Sequence, residues 1–288
     1  MKFGLLPPYR TGAVAEPEWI TRFAQHAEAC GFESIYTVEH VVVPAGYESK
    51  YPYSPDGRMT LPDHADIPDP LELLSYLAAK TTTLRLGTGL IVLPEHHPAQ
   101  LAKRLATIDR LSGGRVTVGV GVGWLREELA AMDVDPATRG ARADECIEAL
   151  RVLWREEEAT FAGEFFSFTR ACSFPKPVQP GGVPIHIGGH SAAAARRAGR
   201  LGDGFHPLGL AGEALTERID QMRAAAMEAE RDPDAIELTL GGLLDQLDDE
   251  RLETAAKAGA VRLVLSTRVK AIDEMCDQLS AFADRFIR

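Results

Sequence analysis

The sequence alternates eight times between a short apolar segment rich in β-branched residues and a segment with helical periodicity. Such apolar segments are typical of buried strands, and the periodic segments are typical of amphipathic helices. Strands that alternate with helices pair in parallel through right-handed crossovers. We place the eight strands at Lys2–Leu6, Ser34–Val42, Leu84–Leu93, Val116–Val122, Pro184–Ile187, Gly204–Leu208, Ile236–Leu243 and Val261–Leu265.

Eight strand–helix units that close on themselves form a (β/α)₈ TIM barrel of the α/β class. The alternative is a doubly wound open sheet, which rarely needs eight regular units. The sequence therefore predicts a barrel, with residues 1–288 forming one domain.

Two connections between the predicted elements are longer than the others. Val43–Asp69 follows the second strand, so this insertion is expected on the C-terminal face, where barrel enzymes keep their active sites. Arg155–Gly182 precedes the fifth strand and follows a helix, and we interpret it as a structural hairpin and strap.

Composition excludes several functional classes. No apolar run approaches the ~18 residues of a membrane span, so no such span is expected. The net charge of −11 makes the chain a poor partner for nucleic acid or for anionic membranes. The four cysteines form no C-x-x-C motif, which predicts neither a disulfide framework nor a cysteine metal site and favours a reducing cytoplasm.

The end of the fifth strand is the clearest candidate site. Gly188 and Gly189 allow a ligand to approach the backbone closely. Ser191 follows His190 and can cap the next helix, whose first N–H groups attract phosphate. The alternative is a tight strand–helix turn that needs glycine only for packing.

The fourth strand carries glycine at every second position, at Gly119, Gly121 and Gly123. Glycines spaced in this way leave one face of the strand bare, so that a flat ring or a neighbouring backbone can lie against it. The spacing differs from the G-x-G-x-x-G fingerprint of dinucleotide-binding folds. Simple packing in a tight barrel interior is the alternative explanation.

The predicted second strand ends with Glu39 and His40, which are the candidate catalytic residues. At this position His40 can give or take a proton, or donate a hydrogen bond to a ring carbonyl, whereas a purely structural histidine is the alternative. His64, His96 and His97 lack the spacing of metal ligands, so no metal site is predicted.

Three ordered segments resemble the luciferase-like flavin and deazaflavin enzymes. They are Ala27–His40, Leu84–Leu129 and Pro184–Pro207, and together the resemblance covers nearly the whole chain. The details YPYSPDGRM and Asp69-Pro70 are most similar to the actinobacterial branch that is thought to use coenzyme F420.

The resemblance implies that a flavin-like tricycle binds at the C-terminal face. It also implies a non-proline cis peptide between Gly89 and Leu90, which supports the ring from behind. His40, beside Glu39, is expected near the reacting face of the ring. One departure is that Trp124 stands where the sugar-phosphate dehydrogenases of the family have an acid, which argues against their mechanism and substrate. The cofactor-binding residues that the resemblance implies are Gly89, Leu90, Gly121, Gly123, Trp124, Gly188, Gly189, His190 and Ser191.

The expected activity is F420-dependent hydride transfer to or from a small organic substrate, and the alternative is an FMN-dependent monooxygenase. Because F420 has a long anionic tail, basic groups beyond the phosphate turn would favour it. A flavin carrier or sensor and a non-redox barrel enzyme acting on a phosphosugar are further hypotheses. The resemblance also implies a homodimer, and the tyrosines of Val43–Asp69 suit either a substrate lid or dimer contacts.

Overall fold

The computed structural model describes residues 1–288 and contains a closed ring of eight parallel strands surrounded by helices. In chain order the strands are β1 (Lys2–Leu6), β2 (Ser34–Thr37), β3 (Arg85–Thr88), β4 (Ile91–Val92), β5 (Val116–Gly121), β6 (Ala159–Ala162), β7 (Ser167–Ala171), β8 (Ile185–Gly188), β9 (Gly204–His206), β10 (Glu237–Leu243) and β11 (Ala260–Ser266). The helices are α1 (Pro17–Cys30), α2 (Pro70–Ala78), α3 (Pro98–Ser112), α4 (Arg126–Ala131), α5 (Arg139–Arg155), α6 (Ala192–Leu201), α7 (Gly212–Glu228), α8 (Asp249–Lys257) and α9 (Ile272–Phe286).

The strand pairing confirms the predicted (β/α)₈ barrel. The ring runs in the order β3, β2, β1, β11, β10, β9, β8 and β5, and it closes where β5 pairs with β3. The short β4 continues β3 and also pairs with β5, and β6 and β7 form an antiparallel hairpin outside the ring. The hairpin in the insertion before the fifth barrel strand is therefore confirmed, whereas the single-domain assignment stays a prediction.

Two predicted strands differ most from the structure, while the predicted fourth and sixth strands end one and two residues early, at Gly121 and His206. The second strand was expected to reach Val42, but β2 ends at Thr37 because the N–H groups of Val41 and Val42 bond to the carboxylate of Glu128 instead of to a neighbouring strand. The third strand is interrupted between β3 and β4 at Gly89–Leu90, where the peptide bond is cis, as the resemblance implied.

Large side chains fill the barrel interior where neighbouring strands carry glycine. A Cβ on Gly87 would lie 2.6 Å from the ring of Tyr36, and a Cβ on Gly204 would lie 2.6 Å from the ring of His186. Such alternation of small and large residues is how narrow barrels are packed. Around the barrel, a continuous cluster of 57 buried apolar residues packs the strands against the helices.

An ion network occupies the N-terminal end of the barrel. Arg262 is 3% exposed, and its guanidinium donates to both Glu33 oxygens, at 2.9 and 2.8 Å, and to Glu237 at 2.9 Å. Burial acts to raise the pKa of Glu237, but the charges of Arg262 and Lys2 and the hydrogen bonds from both side chains together outweigh it and lower that pKa to about 2. The two carboxylates therefore stay ionised and hold the guanidinium between β2, β10 and β11.

We predict that Arg262→Ala lowers the free energy of unfolding by about 3 kcal/mol, because it removes the buried cation between two partly buried carboxylates and leaves them only Lys2, 3.0 Å from Glu237, and Arg85, 3.9 Å from Glu33. Arg285→Ala is the matched control, since its pair with Asp249 is exposed and should contribute no more than about 1 kcal/mol. Urea unfolding followed by circular dichroism measures both, and equal losses in the two variants would contradict the importance given to the buried network.

Candidate active site

An open cavity of about 1340 Å³ lies at the C-terminal mouth of the barrel. Pockets for drug-sized ligands usually measure roughly 300–1,000 Å³, so this cavity has room for a cofactor together with a small substrate. The residues predicted from the sequence as site residues all line it, although their roles stay predictions. They are Glu39, His40, Gly89, Leu90, Gly121, Gly123, Trp124, Gly188, Gly189, His190 and Ser191.

The bulge at Gly89–Leu90 is supported by glycines of two barrel strands. The side chain of Leu90 packs where a Cβ on Gly188 would overlap it, and a Cβ on Gly121 would lie 3.1 Å from Leu90 Cδ1. The bare face that the glycine spacing predicted is therefore filled by Leu90 and by the Thr88 carbonyl oxygen, which lies against Gly119. The bulge and the neighbouring Gly121 and Gly188 line the cavity together.

The turn after β8 has the geometry of an anion site. Ser191 caps α6 by accepting the N–H of Ala194 at 3.1 Å, as predicted, and Gly189 has a φ of 130°, which favours glycine. The N–H groups of Ala192 and Ala193 lie in the first helical turn, where no intrahelical acceptor exists, and they remain available to a phosphate.

His40 is held by a residue that the sequence reasoning did not assign to the site. Its Nδ1 lies 2.7 Å from Oε2 of Glu128, and the side chains of both residues are largely buried. The other carboxylate oxygen of Glu128 accepts the N–H groups of Val41 at 2.7 Å and Val42 at 3.2 Å. The histidine ring and the chain beyond it are thus fixed to the first turn of α4.

Glu39 makes a second glutamate–histidine pair beside the first. Its carboxylate lies 2.9 Å from Nε2 of His96 and accepts the N–H of Val92 at 2.6 Å. Because both oxygens are engaged by the segment after the bulge, the geometry favours a positioning role for Glu39 over the catalytic role expected from the sequence.

Glu95 lies near these two pairs, and its carboxyl oxygens are buried without a hydrogen-bond partner. Burial raises the pKa of Glu95 to about 9, with further contributions from the charges of Glu128 and Glu39. Glu95 is therefore neutral at neutral pH.

The insertion after β2, residues 43–69, contributes residues 48–53 and 59–61 to the cavity lining and is called the lid loop below. Its Tyr51 packs edge-on against Trp124 with ring centroids 5.0 Å apart, and its Tyr53 packs in the same way against His190 at 5.2 Å. Glu127 binds the first part of the loop, where its carboxylate accepts the N–H and hydroxyl groups of Ser49 at 3.0 and 2.6 Å. These contacts hold the loop at the cavity, and its role as a substrate lid stays a prediction.

The cavity lining is basic although the chain as a whole is acidic. Six lining residues are Lys or Arg and three are Glu, in a protein whose net charge is −11. Of the three acids, Glu39 and Glu127 are already paired with protein groups. The cationic residues are Arg10, Lys50, Arg126, Arg139, Arg197 and Arg268.

Gly188→Ala is expected to destabilise the protein by about 1–3 kcal/mol, because the new Cβ overlaps Leu90 and must displace the bulge. Gly241→Ala on β10 is the control, since no atom lies closer than 4.0 Å to the position that its Cβ would take and the cost should be near zero. Chemical unfolding of both variants tests this, and an unaffected Gly188→Ala protein would show that Leu90 is not held by this contact.

The chain matches the model of the family described as luciferase-like monooxygenase over residues 1–283. The uncharacterised protein Rv0953c of Mycobacterium tuberculosis (strain ATCC 25618 / H37Rv) is 39% identical over 165 residues, which are 57% of this chain and 58% of that protein. The F420-dependent glucose-6-phosphate dehydrogenase of Nakamurella multipartita is 33% identical over 207 residues, 69% of this chain and 56% of that enzyme. The FMNH(2)-dependent dimethylsulfone monooxygenase of Pseudomonas fluorescens is 32% identical over 208 residues, 71% of this chain and 52% of that enzyme. The chain thus spans little more than half the length of each of these relatives.

Two solved structures show the same fold over almost the entire chain. The monooxygenase RslO1 from Streptomyces bottropensis has a TM-score of 0.76 at 23% identity and covers 100% of this chain and 99% of its own. An F420-dependent secondary alcohol dehydrogenase has a TM-score of 0.79 at 19% identity and covers 99% of each chain. No helix of the present structure combines the length and apolarity needed to cross a membrane. With the barrel, the bulge and the family match together, the chain belongs to the luciferase-like monooxygenase family.

Proposed function

We propose that the protein is an F420-dependent oxidoreductase that transfers a hydride between the deazaflavin and a small organic substrate. The observation that carries the proposal is the set of unpaired cations in the cavity lining outside the phosphate turn, namely Arg10, Lys50, Arg126 and Arg268. F420 would supply the redox chemistry, and the chain would supply binding, orientation and proton transfer.

The cations that support this proposal lie on two sides of the mouth. Lys50 follows Ser49 of the lid loop, and the N–H of Arg126 donates to the Ser49 hydroxyl at 3.1 Å, so these two residues share one wall. Arg10 and Arg268 follow β1 and β11, which are adjacent in the ring. None of these four side chains forms an ion pair with an acid, so they are free to meet an anionic tail.

The remaining lining residues fit the other parts of such a cofactor. The bulge at Gly89–Leu90 would back the ring, and the first turn of α6 at Ser191 would hold the phosphate. His40 lines the same cavity and would exchange a proton near the reacting face of the ring.

An FMN-dependent monooxygenase is the second candidate function. The relative named for its use of FMNH(2) is 32% identical to this chain, nearly the same as the 33% of the F420-dependent relative. The turn at Ser191 suits the phosphate of either cofactor. The cations of the mouth favour F420, because FMN ends at its phosphate and has no anionic tail beyond it to reach them.

The decisive experiment is to titrate the purified protein separately with F420 and FMN while following cofactor fluorescence. We expect F420 to bind more tightly and its affinity to fall more steeply with added salt, because exposed charges are screened. Tight FMN binding without F420 binding would overturn the proposal in favour of the second candidate, and binding of neither would overturn both.

We predict that the double variant Lys50→Gln/Arg126→Gln weakens F420 binding severalfold and leaves FMN binding nearly unchanged, since each exposed charge contributes about 0.2–1 kcal/mol. Lys257→Gln is the control, because this exposed lysine on α8 lies outside the cavity. Equal losses of affinity for the two cofactors in the double variant would contradict the proposal that Lys50 and Arg126 bind the anionic tail of F420.

Ser191→Asp tests the phosphate turn itself. The new carboxylate can still cap α6, but its charge repels a phosphate, so affinity for both cofactors should fall at least about tenfold. Ser191→Asn is the matched neutral cap and should cost much less. Unchanged affinity in Ser191→Asp would place the phosphate elsewhere.

The substrate is proposed only as a small organic molecule bound between the lid loop and the bulge. We also propose a homodimer, which sedimentation would test. The four cysteines are free thiols, which supports a reducing compartment such as the cytoplasm.

A further inference from the structure

We propose that Glu128 is the positioning residue for His40, which it fixes as a proton acceptor facing the cavity. The inference starts from the hydrogen bond of 2.7 Å between Oε2 of Glu128 and Nδ1 of His40. Glu128 is 1% exposed, so water does not compete for this contact. This inference depends on the proposed function in one respect only, which is the identity of the bound group that gives its proton to His40.

The surroundings of Glu128 supply hydrogen-bond donors to its carboxylate. Oε1 accepts the N–H groups of Val41 and Val42. The nearby acids are Glu39, which is engaged by His96 and Val92, and Glu95, which has no hydrogen-bond partner. Neither of these two acids forms a hydrogen bond with His40.

An ionised carboxylate can only accept hydrogen bonds, so the proton in the Glu128 contact must lie on Nδ1 of His40. In the neutral ring the lone pair is then on Nε2, which has no hydrogen-bond partner within the chain. Because His40 lines the cavity, this nitrogen is the one available to a ligand. The Glu128 contact thus determines which nitrogen of His40 acts as the base.

The neighbouring acid supplies a control. Glu127 precedes Glu128 on α4, but it binds the lid loop at Glu48 and Ser49 and does not contact His40. Hydrogen bonding to Ser49, together with the backbone N–H groups, lowers the pKa of Glu127 to about 2, so it too is ionised. Replacing either acid by glutamine removes one charge from the same helical turn, but only one replacement reaches the histidine.

The effect of Glu128→Gln has a definite direction. Two backbone N–H groups, from Val41 and Val42, require an oxygen at the Oε1 position, so the amide oxygen should remain there. The amide NH₂ then faces Nδ1 of His40 and donates to it. This arrangement forces the ring proton onto Nε2 and reverses the tautomer.

The test is long-range ¹H–¹⁵N NMR of the cofactor-free, full-length protein, which distinguishes protonated from unprotonated ring nitrogens. Missing signals in His40→Ala assign the resonances. We expect the wild-type ring, when neutral, to carry its proton on Nδ1, Glu128→Gln to move it to Nε2, and Glu127→Gln to leave it on Nδ1.

Two results would overturn the proposal: a wild-type ring with its proton on Nε2, or an unchanged tautomer in Glu128→Gln. The wild-type measurement decides even if the Glu128 variant does not fold. Because no cofactor is present, the outcome is independent of whether F420 or FMN binds. Once a substrate is known, Glu128→Gln should lower kcat by ~10²–10⁴-fold, the usual contribution of a general base, with little change in cofactor affinity.

Discussion

The shape of the barrel mouth depends on where the side chain of Leu90 is seated. Glycines on β5 and β8 leave the space that Leu90 fills, and no larger residue fits at Gly188 without moving it. With Leu90 fixed, the backbone at Gly89 is held at the cavity surface and β4 resumes its pairing with β5. The segment after the bulge can then present the N–H of Val92 to Glu39.

Three carboxyl groups gather beside this bulge, and their charges would repel if all were ionised. The structure distributes the charge instead. Glu39 pairs with His96 and accepts one backbone N–H, Glu128 pairs with His40 and accepts two, and burial raises the pKa of Glu95 to about 9 so that it stays protonated. Adjacent residues on the chain, Glu39 and His40, thereby belong to two separate glutamate–histidine pairs. One pair braces the bulge and the other aims a histidine at the cavity.

The barrel and the location of its site could be predicted from the sequence, because hydrophobic periodicity is local and parallel strands bring their C-terminal ends to one face. The partners within the site could not. Glu128 is 88 residues from His40, and an acid at the start of a helix is already explained by the helix dipole. Glycine spacing on β5 indicated a close neighbour, but it did not distinguish a cofactor ring from Leu90. The valines after Glu39 have strand propensity, yet the Glu128 carboxylate takes their N–H groups.

The way in which α4 grips the lid loop has an evolutionary consequence. Glu127 and Glu128 bind the lid loop and the residues just before it mostly through backbone N–H groups, at Glu48 and Ser49 in the loop and at Val41 and Val42 before it. Every amino acid except proline supplies that donor, so the loop can exchange most of its side chains without losing its anchorage. Descendants of this chain can therefore differ in the compounds they bind, while the hydrogen bonds that hold His40 and the lid loop are retained.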